Sequence, residues 1–357
     1  MLKISILIGL ILMTSSCVKN FDDNKQPKKF TNTEIEHKTS FSDFYAMLKA
    51  YWNDKRTLAT PSFDIPVQPL TAAQLAQDKF DAVYRLGHST ILLRIDHEFI
   101  LIDPVFSDRA SPVQWFGPKR FHQAPISIAD LPNIKAVIIS HDHYDHLDKD
   151  AIKLLDQKVE YFITPLKVGQ HLRDWGIDDA KITELAWWQT TEIDTLKFTA
   201  TPAQHFSGRG LFDKDETLWA SWVIEGWESK IYFSGDSGYF GGFKEIGERL
   251  GPFDLTLIET GAYNELWPDI HMFPEQSLQA HIDLKGLAMM PIHNGTFDLS
   301  LHNWYEPFER ITQLAADSYV TLLTPQFGEA VNIQVPKLLQ KVPVTVNWWQ
   351  ETGQIEK

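Results

Sequence analysis

The stretch His141-Asp142-His143-Tyr144-Asp145-His146 crowds imidazoles and carboxylates into six consecutive residues, directly after the apolar run Ala136-Val137-Ile138-Ile139. A short β-branched run reads as a buried strand, and a loop at its C-terminal end can turn several side chains toward one point. His141 and His143 would share one metal ion. Asp145 and His146, displaced along the same turn, can serve a second ion a few ångströms away, since zinc accepts both neutral imidazole and carboxylate. A surface loop that happens to be His-rich is the bland alternative, and the ligand density argues against it.

Two ions need more ligands than one loop supplies. Three further residues end apolar or β-rich segments: His205 after Leu196-Lys197-Phe198-Thr199-Ala200, Asp236 after Ile231-Tyr232-Phe233-Ser234, and His293 after Leu287-Ala288-Met289-Met290-Pro291-Ile292. Singly each is weak, because a lone strand-end histidine is more often a hydrogen-bonded structural residue. Together, in the order HxHxDH, His, Asp, His, they make seven ligands: three histidines plus a shared carboxylate for one ion, and Asp, His, His plus the same carboxylate for the other. Two metals about 3.5 to 4 Å apart can hold and acidify a bridging water and receive a substrate oxygen. Hydrolysis of an ester or phosphodiester then needs no protein nucleophile.

The elements that must position these ligands follow from periodicity. Apolar or alternating runs at 82–86, 91–95 and 99–102 predict hairpin strands, the last two joined by the polar turn Asp96-His97-Glu98. Helices are expected over Phe41 to Trp52, Asp150 to Leu155, Leu166 to Trp175, Phe243 to Leu250, Pro274 to Asp283 and Trp304 to Ala315, several with Asp, Ser or Pro near their starts. No short fixed period repeats, which excludes solenoids and propellers.

The ligand order resembles that of the metallo-β-lactamase fold hydrolases. Further stretches narrow the resemblance to the N-acyl-phosphatidylethanolamine-hydrolysing phospholipase D branch: Gly87-His88-Ser89-Thr90, Asp103-Pro104-Val105-Phe106-Ser107, Ala110-Ser111-Pro112 with Gly117-Pro118-Lys119-Arg120-Phe121, Pro202-Ala203-Gln204-His205, Leu218-Trp219-Ala220-Ser221-Trp222, Gly235-Asp236-Ser237-Gly238-Tyr239, Gly251-Pro252-Phe253-Asp254 and Gly261-Ala262-Tyr263. The similarity covers about residues 80 to 330, and the tract from Asn264 to Met272, where a substrate-contacting loop is expected, is only loosely similar.

The resemblance implies an α/β fold, the four-layer αβ/βα sandwich, with the ligand loops meeting at the rim between two sheets. It makes Asp236 the carboxylate that bridges two Zn²⁺ ions, iron or manganese being compatible with the same donors, and implies hydrolysis of a phosphodiester, in N-acylphosphatidylethanolamine or a related phospholipid, by a metal-bridging hydroxide. Asp145 and Asp236 would be catalytic through the metals. His271, before Met272-Phe273-Pro274-Glu275, resembles a family histidine near the substrate, where it could protonate a leaving oxygen or bind phosphate; a solvated loop histidine is the other reading. Asp103 could orient a ligand histidine from behind or be a strand-end turn residue. His88 reads as structural, and His97, His122, His171, His281 and His302 carry no supporting pattern. A lactonase or carboxylic-ester hydrolase on the same scaffold is the alternative reaction, since the ligands alone do not choose between phosphorus and carbonyl carbon. A non-catalytic envelope lipoprotein is the alternative class, but its sign would be lost ligands, and all seven are present.

The chain opens with Met1-Leu2-Lys3, a short apolar segment to Met13, then Thr14-Ser15-Ser16-Cys17. That segment is shorter than the roughly 18 residues of a spanning helix and reads as a signal peptide. Cys17, the only cysteine in 357 residues, stands where bacterial lipoproteins are cleaved and lipidated, although Thr14 departs from the usual aliphatic residue; an ordinary secretory leader is the alternative. The expected organisation is a signal peptide over 1–17, a flexible tether over 18–40, an N-terminal extension packing on the core over 41–79, a metallohydrolase domain over 80–335 and a tail over 336–357. The expected place is the bacterial cell envelope, lipid-anchored on the periplasmic side or cell surface. With Cys17 as anchor no thiol remains for a disulfide, and 43% apolar residues suffice for a large core. A net charge of −14 argues against a nucleic-acid partner. Trp115, Phe116 and the tip Glu265-Leu266-Trp267 are candidates for an apolar lip facing acyl chains, core packing being the commoner fate of aromatics.

Overall fold

The computed structural model describes residues 27–36, 41–77, 79–334 and 347–350. Two seven-stranded sheets face one another. The first contains β1 (Ala82–Arg85), β2 (Ile91–Ile95), β3 (Glu98–Ile102), β4 (Ile134–Ile138), β5 (Val159–Pro165), β6 (Ile182–Leu185) and β14 (Ala330–Asn332), in the order β14-β1-β2-β3-β4-β5-β6. The second contains β7 (Thr190–Ile193), β8 (Leu196–Thr201), β9 (Ser221–Glu225), β10 (Lys230–Phe233), β11 (Phe253–Glu259), β12 (Gly286–Ile292) and β13 (Thr321–Leu322), in the order β13-β12-β11-β10-β9-β8-β7. Each half begins as an antiparallel meander and then turns parallel, at its fourth strand in the first sheet (β3 to β4) and at its fifth in the second (β10 to β11). Parallel strands need crossovers, and α-helices supply those after β4, β5, β10, β11 and β12, while a long loop joins β3 to β4.

Alternation along the strands builds the layers. On β2, Ile91, Leu93 and Ile95 point between the sheets, where they join Trp222, Phe233, Leu257 and Met290, while Leu92 points outward. Every residue of β2 is buried, as expected when both faces are covered. Outside the first sheet lie α2 (Ala72–Gln77), α3 (Lys149–Leu155) and α4 (Val168–Asp174), contributing Leu75, Ile152, Leu155 and Leu172 to one outer core. Outside the second lie α5 (Gly242–Arg249), α6 (Pro274–Asp283) and α7 (Glu306–Asp317), contributing Phe243, Ile246, Leu278 and Ile311 to the other. Local sequence starts the helices: Asp148 accepts from the backbone of Asp150 and Ala151 at the head of α3, and Pro274 opens α6. The four-layer αβ/βα sandwich is thus the architecture, with predicted and observed elements agreeing within about two residues.

α1 (Phe41–Trp52) and the chain after it lie against this unit. Arg56 donates to Asp298 Oδ1 at 2.7 Å and to the carbonyls of Ser300 and His302, and the Gln68 amide donates to Phe327 O at 2.8 Å. The sequence reading needs correction just upstream. Residues 18–40 were expected to be a flexible tether, but residues 27–36 are docked: Phe30 N donates to Asp215 O at 2.8 Å and Lys29 Nζ to Lys214 O at 2.7 Å. Polar composition concealed this, because the segment is held by hydrogen bonds and not by an apolar stripe. At the other end, Trp348 and Trp349 of the expected tail are buried against Phe308, with ring centroids 5.0 and 4.9 Å away. The leader, Cys17, His37 and residues 335–346 and 351–357 lie outside the described residues.

Candidate metal centre

All seven sequence-predicted ligands converge at one rim of the sandwich, each on the loop leaving a strand. His141, His143, Asp145 and His146 follow β4, His205 follows β8, Asp236 follows β10 and His293 follows β12. The HxHxDH loop is braced through its alternate residues. Asp142 Oδ1 accepts from Gly208 N at 2.8 Å, its Oδ2 accepts from Thr217 Oγ1 at 2.8 Å and from His171 Nε2 at 3.2 Å, and Arg209 lies 4.0 Å over the Tyr144 ring. These partners outweigh the burial that opposes charging Asp142 and hold its carboxyl at about 2. Gly235, at φ +56°, lets the chain bearing Asp236 come against Ser140, whose Cβ would stand 2.9 Å from a side chain there.

Two donor groups result. His141, His143, His205 and Asp236 offer atoms that all lie within 4.8 Å of one another, as do Asp145, His146 and His293 together with His88. His143 Nδ1 stands 2.9 Å from His141 Nε2 and 3.3 Å from His205 Nε2. Asp236 reaches both groups: Oδ2 is 3.8 Å from His141 Nε2, 3.7 Å from His205 Nε2 and 3.0 Å from His293 Nε2, while Oδ1 is 3.1 Å from His146 Nε2. Asp145 Oδ2 is 3.3 Å from His293 Nε2.

The far side of three of the rings, His141, His146 and His205, fixes their tautomer. His146 Nδ1 donates to Asp103 Oδ2 at 2.7 Å, and the same carboxylate accepts from Ser140 Oγ, which in turn accepts from His141 Nδ1 at 2.9 Å. His205 Nδ1 donates to Ile270 O at 3.0 Å. The Nε2 lone pairs of these three rings are therefore aimed inward. Asp103, at φ +42° after β3, is the orienting residue that one of its two sequence readings described.

The donor set fits a cation. His146 Nε2, His293 Nε2 and Asp236 Oδ1 are buried without hydrogen-bond geometry to any partner, despite their mutual closeness, so they aim past one another at shared points. Imidazole nitrogens with carboxylate oxygens are the donors of zinc, iron and manganese sites. Burial opposes charging His146, yet Asp236, Asp145 and Asp103 outweigh it and hold its pKa well above the ordinary imidazole value. The centre is thus strongly attractive to positive charge.

His88 was misread. It sits in the turn between β1 and β2, its Nε2 3.5 Å from Asp145 Oδ2 and its ring centroid 3.9 Å from that of His293, with both nitrogens buried and without a hydrogen bond. The sequence signal was the Gly87-His88 turn between two apolar runs. Glu259, the last residue of β11, was not singled out at all: it is fully buried, its Oε1 2.5 Å from His271 Nδ1 and its Oε2 accepting from Ser237 N at 3.0 Å. His271 lies beside Asp236 and His293, so the structure brings it to the centre. A cleft of about 610 Å³ opens above, walled by Met47 and Tyr51 of α1 and by Phe206, Leu266, Trp267 and Leu299.

The sequence profile of the β-lactamase superfamily domain matches residues 98–294, and with the fold and donor set this places the chain in the metallo-β-lactamase superfamily, among its metal-dependent hydrolases. An uncharacterized protein of Mycobacterium tuberculosis is 47% identical over 273 residues, covering 75% of this chain and 72% of that one. N-acyl-phosphatidylethanolamine-hydrolyzing phospholipase D 1 of Caenorhabditis elegans is 34% identical over 276 residues, covering 73% of this chain and 76% of that one. The isothiocyanate hydrolase from Delia radicum gut bacteria shares the fold, with TM-score 0.57 and 21% identity over 70% of this chain and 98% of that one.

Proposed function

We propose that the protein is a binuclear zinc hydrolase that cleaves a phosphodiester bond in a phospholipid, N-acylphosphatidylethanolamine or a close relative. The observation that carries this reading is the cleft: His143, Asp145, His205, Asp236 and His293 form its floor, its walls are largely apolar, and among the described residues no lysine or arginine lines it. A phosphodiester with acyl chains matches both surfaces, and the name of the nematode relative agrees.

His141, His143 and His205 would hold one ion, and Asp145, His146 and His293 the other, with Asp236 shared. Cations held there would supply Lewis acidity to a phosphoryl oxygen and acidify a water. With both ring nitrogens of His271 carrying protons, Nδ1–H donates to Glu259 and Nε2–H can pass its proton to the leaving oxygen, after which the ring keeps the Nδ1–H. The apolar walls exclude water from the acyl chains and orient the bond.

The surroundings support an interfacial substrate. Trp52 is 92% exposed on the helix that supplies Met47 and Tyr51, and Trp115 and Phe116 are exposed on the loop closed by the Arg109–Lys119 bridge. Among the described residues no helix is long and apolar enough to cross a membrane. Attachment to the bacterial envelope is assigned to lipid on Cys17, since several acyl chains hold a protein firmly at a bilayer.

The test is metal analysis of the purified protein coupled to a panel of N-acylphosphatidylethanolamine, other phospholipids, small phosphodiesters and lactones. Two zinc ions per chain and preference for the phospholipids are expected. Preference for lactones would assign the same centre to carboxylic esters, and absence of metal-dependent turnover would end the reading.

A further inference from the structure

We propose that Asn32 is a positioning residue for the metal ligand His205, which makes the strap of residues 29–36 part of the active site. His205 lies between β8 and β9, where no strand ladder satisfies its backbone. Asn32 does so from a distant part of the chain: His205 N donates to Asn32 Oδ1 at 3.0 Å and Asn32 Nδ2 donates to His205 O at 2.8 Å. Trp219 Nε1, also at 3.0 Å from Asn32 Oδ1, fixes the amide from the other side. The lock is reciprocal, because the side chain of Gln204 grips the strap's own backbone: Gln204 Nε2 donates to Ile35 O at 2.5 Å, and Ile35 N lies 3.5 Å from Gln204 Oε1.

The consequence is geometric. With its backbone held by Asn32 and its Nδ1 held by Ile270 O, His205 has its Nε2 pinned at 3.3 Å from His143 Nδ1. A site needs its donors placed to within about 0.5 Å. A buried N–H and C=O left without partners would also turn elsewhere and carry the ring with them. None of the strap lies within residues 98–294, the span of the superfamily domain.

The inference rests on His205 being a ligand, so wild type and His205→Ala are measured beside the Asn32 variants. Full-length chains are loaded with zinc, metal content is followed against a competing chelator, and cobalt(II)-substituted samples are compared by absorption. Wild type should hold two ions and His205→Ala should lose one. Asn32→Ala should weaken one ion by about 10- to 100-fold, the usual effect of removing a partner behind a ligand, with a cobalt spectrum altered as in His205→Ala. Asn32→Asp keeps the size and the acceptor but sets a carboxylate oxygen against His205 O, so it should weaken the same ion at least as much; it carries the test if the alanine variant does not accumulate. Wild-type affinity in either variant overturns the proposal, as does equal weakening of both ions with a lowered melting temperature, which would mark a general fold contact. If wild type binds no metal, or His205→Ala loses none, the reading of the centre fails first.

Discussion

Asp236 is the residue on which the centre turns, because its Oδ1 stands 3.1 Å from His146 Nε2 in one donor group while its Oδ2 stands 3.8 and 3.7 Å from the Nε2 atoms of His141 and His205 in the other. Asp236→Asn keeps the shape and removes the charge, so metal content and hydrolysis should fall together. Two ions retained in the variant, read by elemental analysis, would deny it the bridging role. His271 should behave differently. Its alanine variant is expected to keep full metal occupancy while turnover drops by roughly 10² to 10⁴, the range for a positioned acid. The drop should shrink on a nitrophenyl phosphodiester, whose leaving group needs little protonation; equal losses on both substrates would point to phosphate binding instead.

At the scale of elements, α6 carries a buried histidine with a pH consequence. His281 is held near Thr256, Nδ1 to Oγ1 at 2.7 Å, and burial pushes its pKa down to about 4. The unfolded chain binds that proton below about 6.5 while the folded chain resists it. Stability from this group is therefore complete above pH 6.5 and lost as pH falls toward 4, by up to about 3 kcal/mol. His281→Gln should flatten the difference in denaturation midpoint between pH 7 and pH 4; an unchanged slope would show that His281 charges freely in the native state. The two sheets also meet through single residues. Trp222 Nε1 on β9 donates across the sandwich to Ile139 O at 3.0 Å, two residues before His141. Trp222→Phe should cost about 1 to 3 kcal/mol by leaving that buried carbonyl unpaired, as measured by denaturant unfolding.

For the whole molecule, the proposal places a cleft with apolar walls on a protein held at a bilayer. Cys17→Ala should release the protein from membranes or leave an unprocessed precursor in fractionation. Palmitate labelling that persists in the variant would exclude Cys17 as the anchor.

The seven converging donors and the strands that end at them were legible in sequence because both are local. A β-branched run followed by His, Asp or His again states what ends where, and the spacing in His141 to His146 is a property of one loop. Helix starts at Asp148 and Pro274 were legible for the same reason. His88, Glu259 and Asn32 were not. Each takes its meaning from residues far along the chain: His88 from His293, Glu259 from His271 twelve residues on and folded back, Asn32 from His205, 173 residues away. A short polar strap without apolar period gives no local signal, since side-chain to backbone hydrogen bonds leave no pattern in composition. Local chemistry therefore determined the donors, and only long-range closure of the sandwich decided which buried groups hold those donors in place.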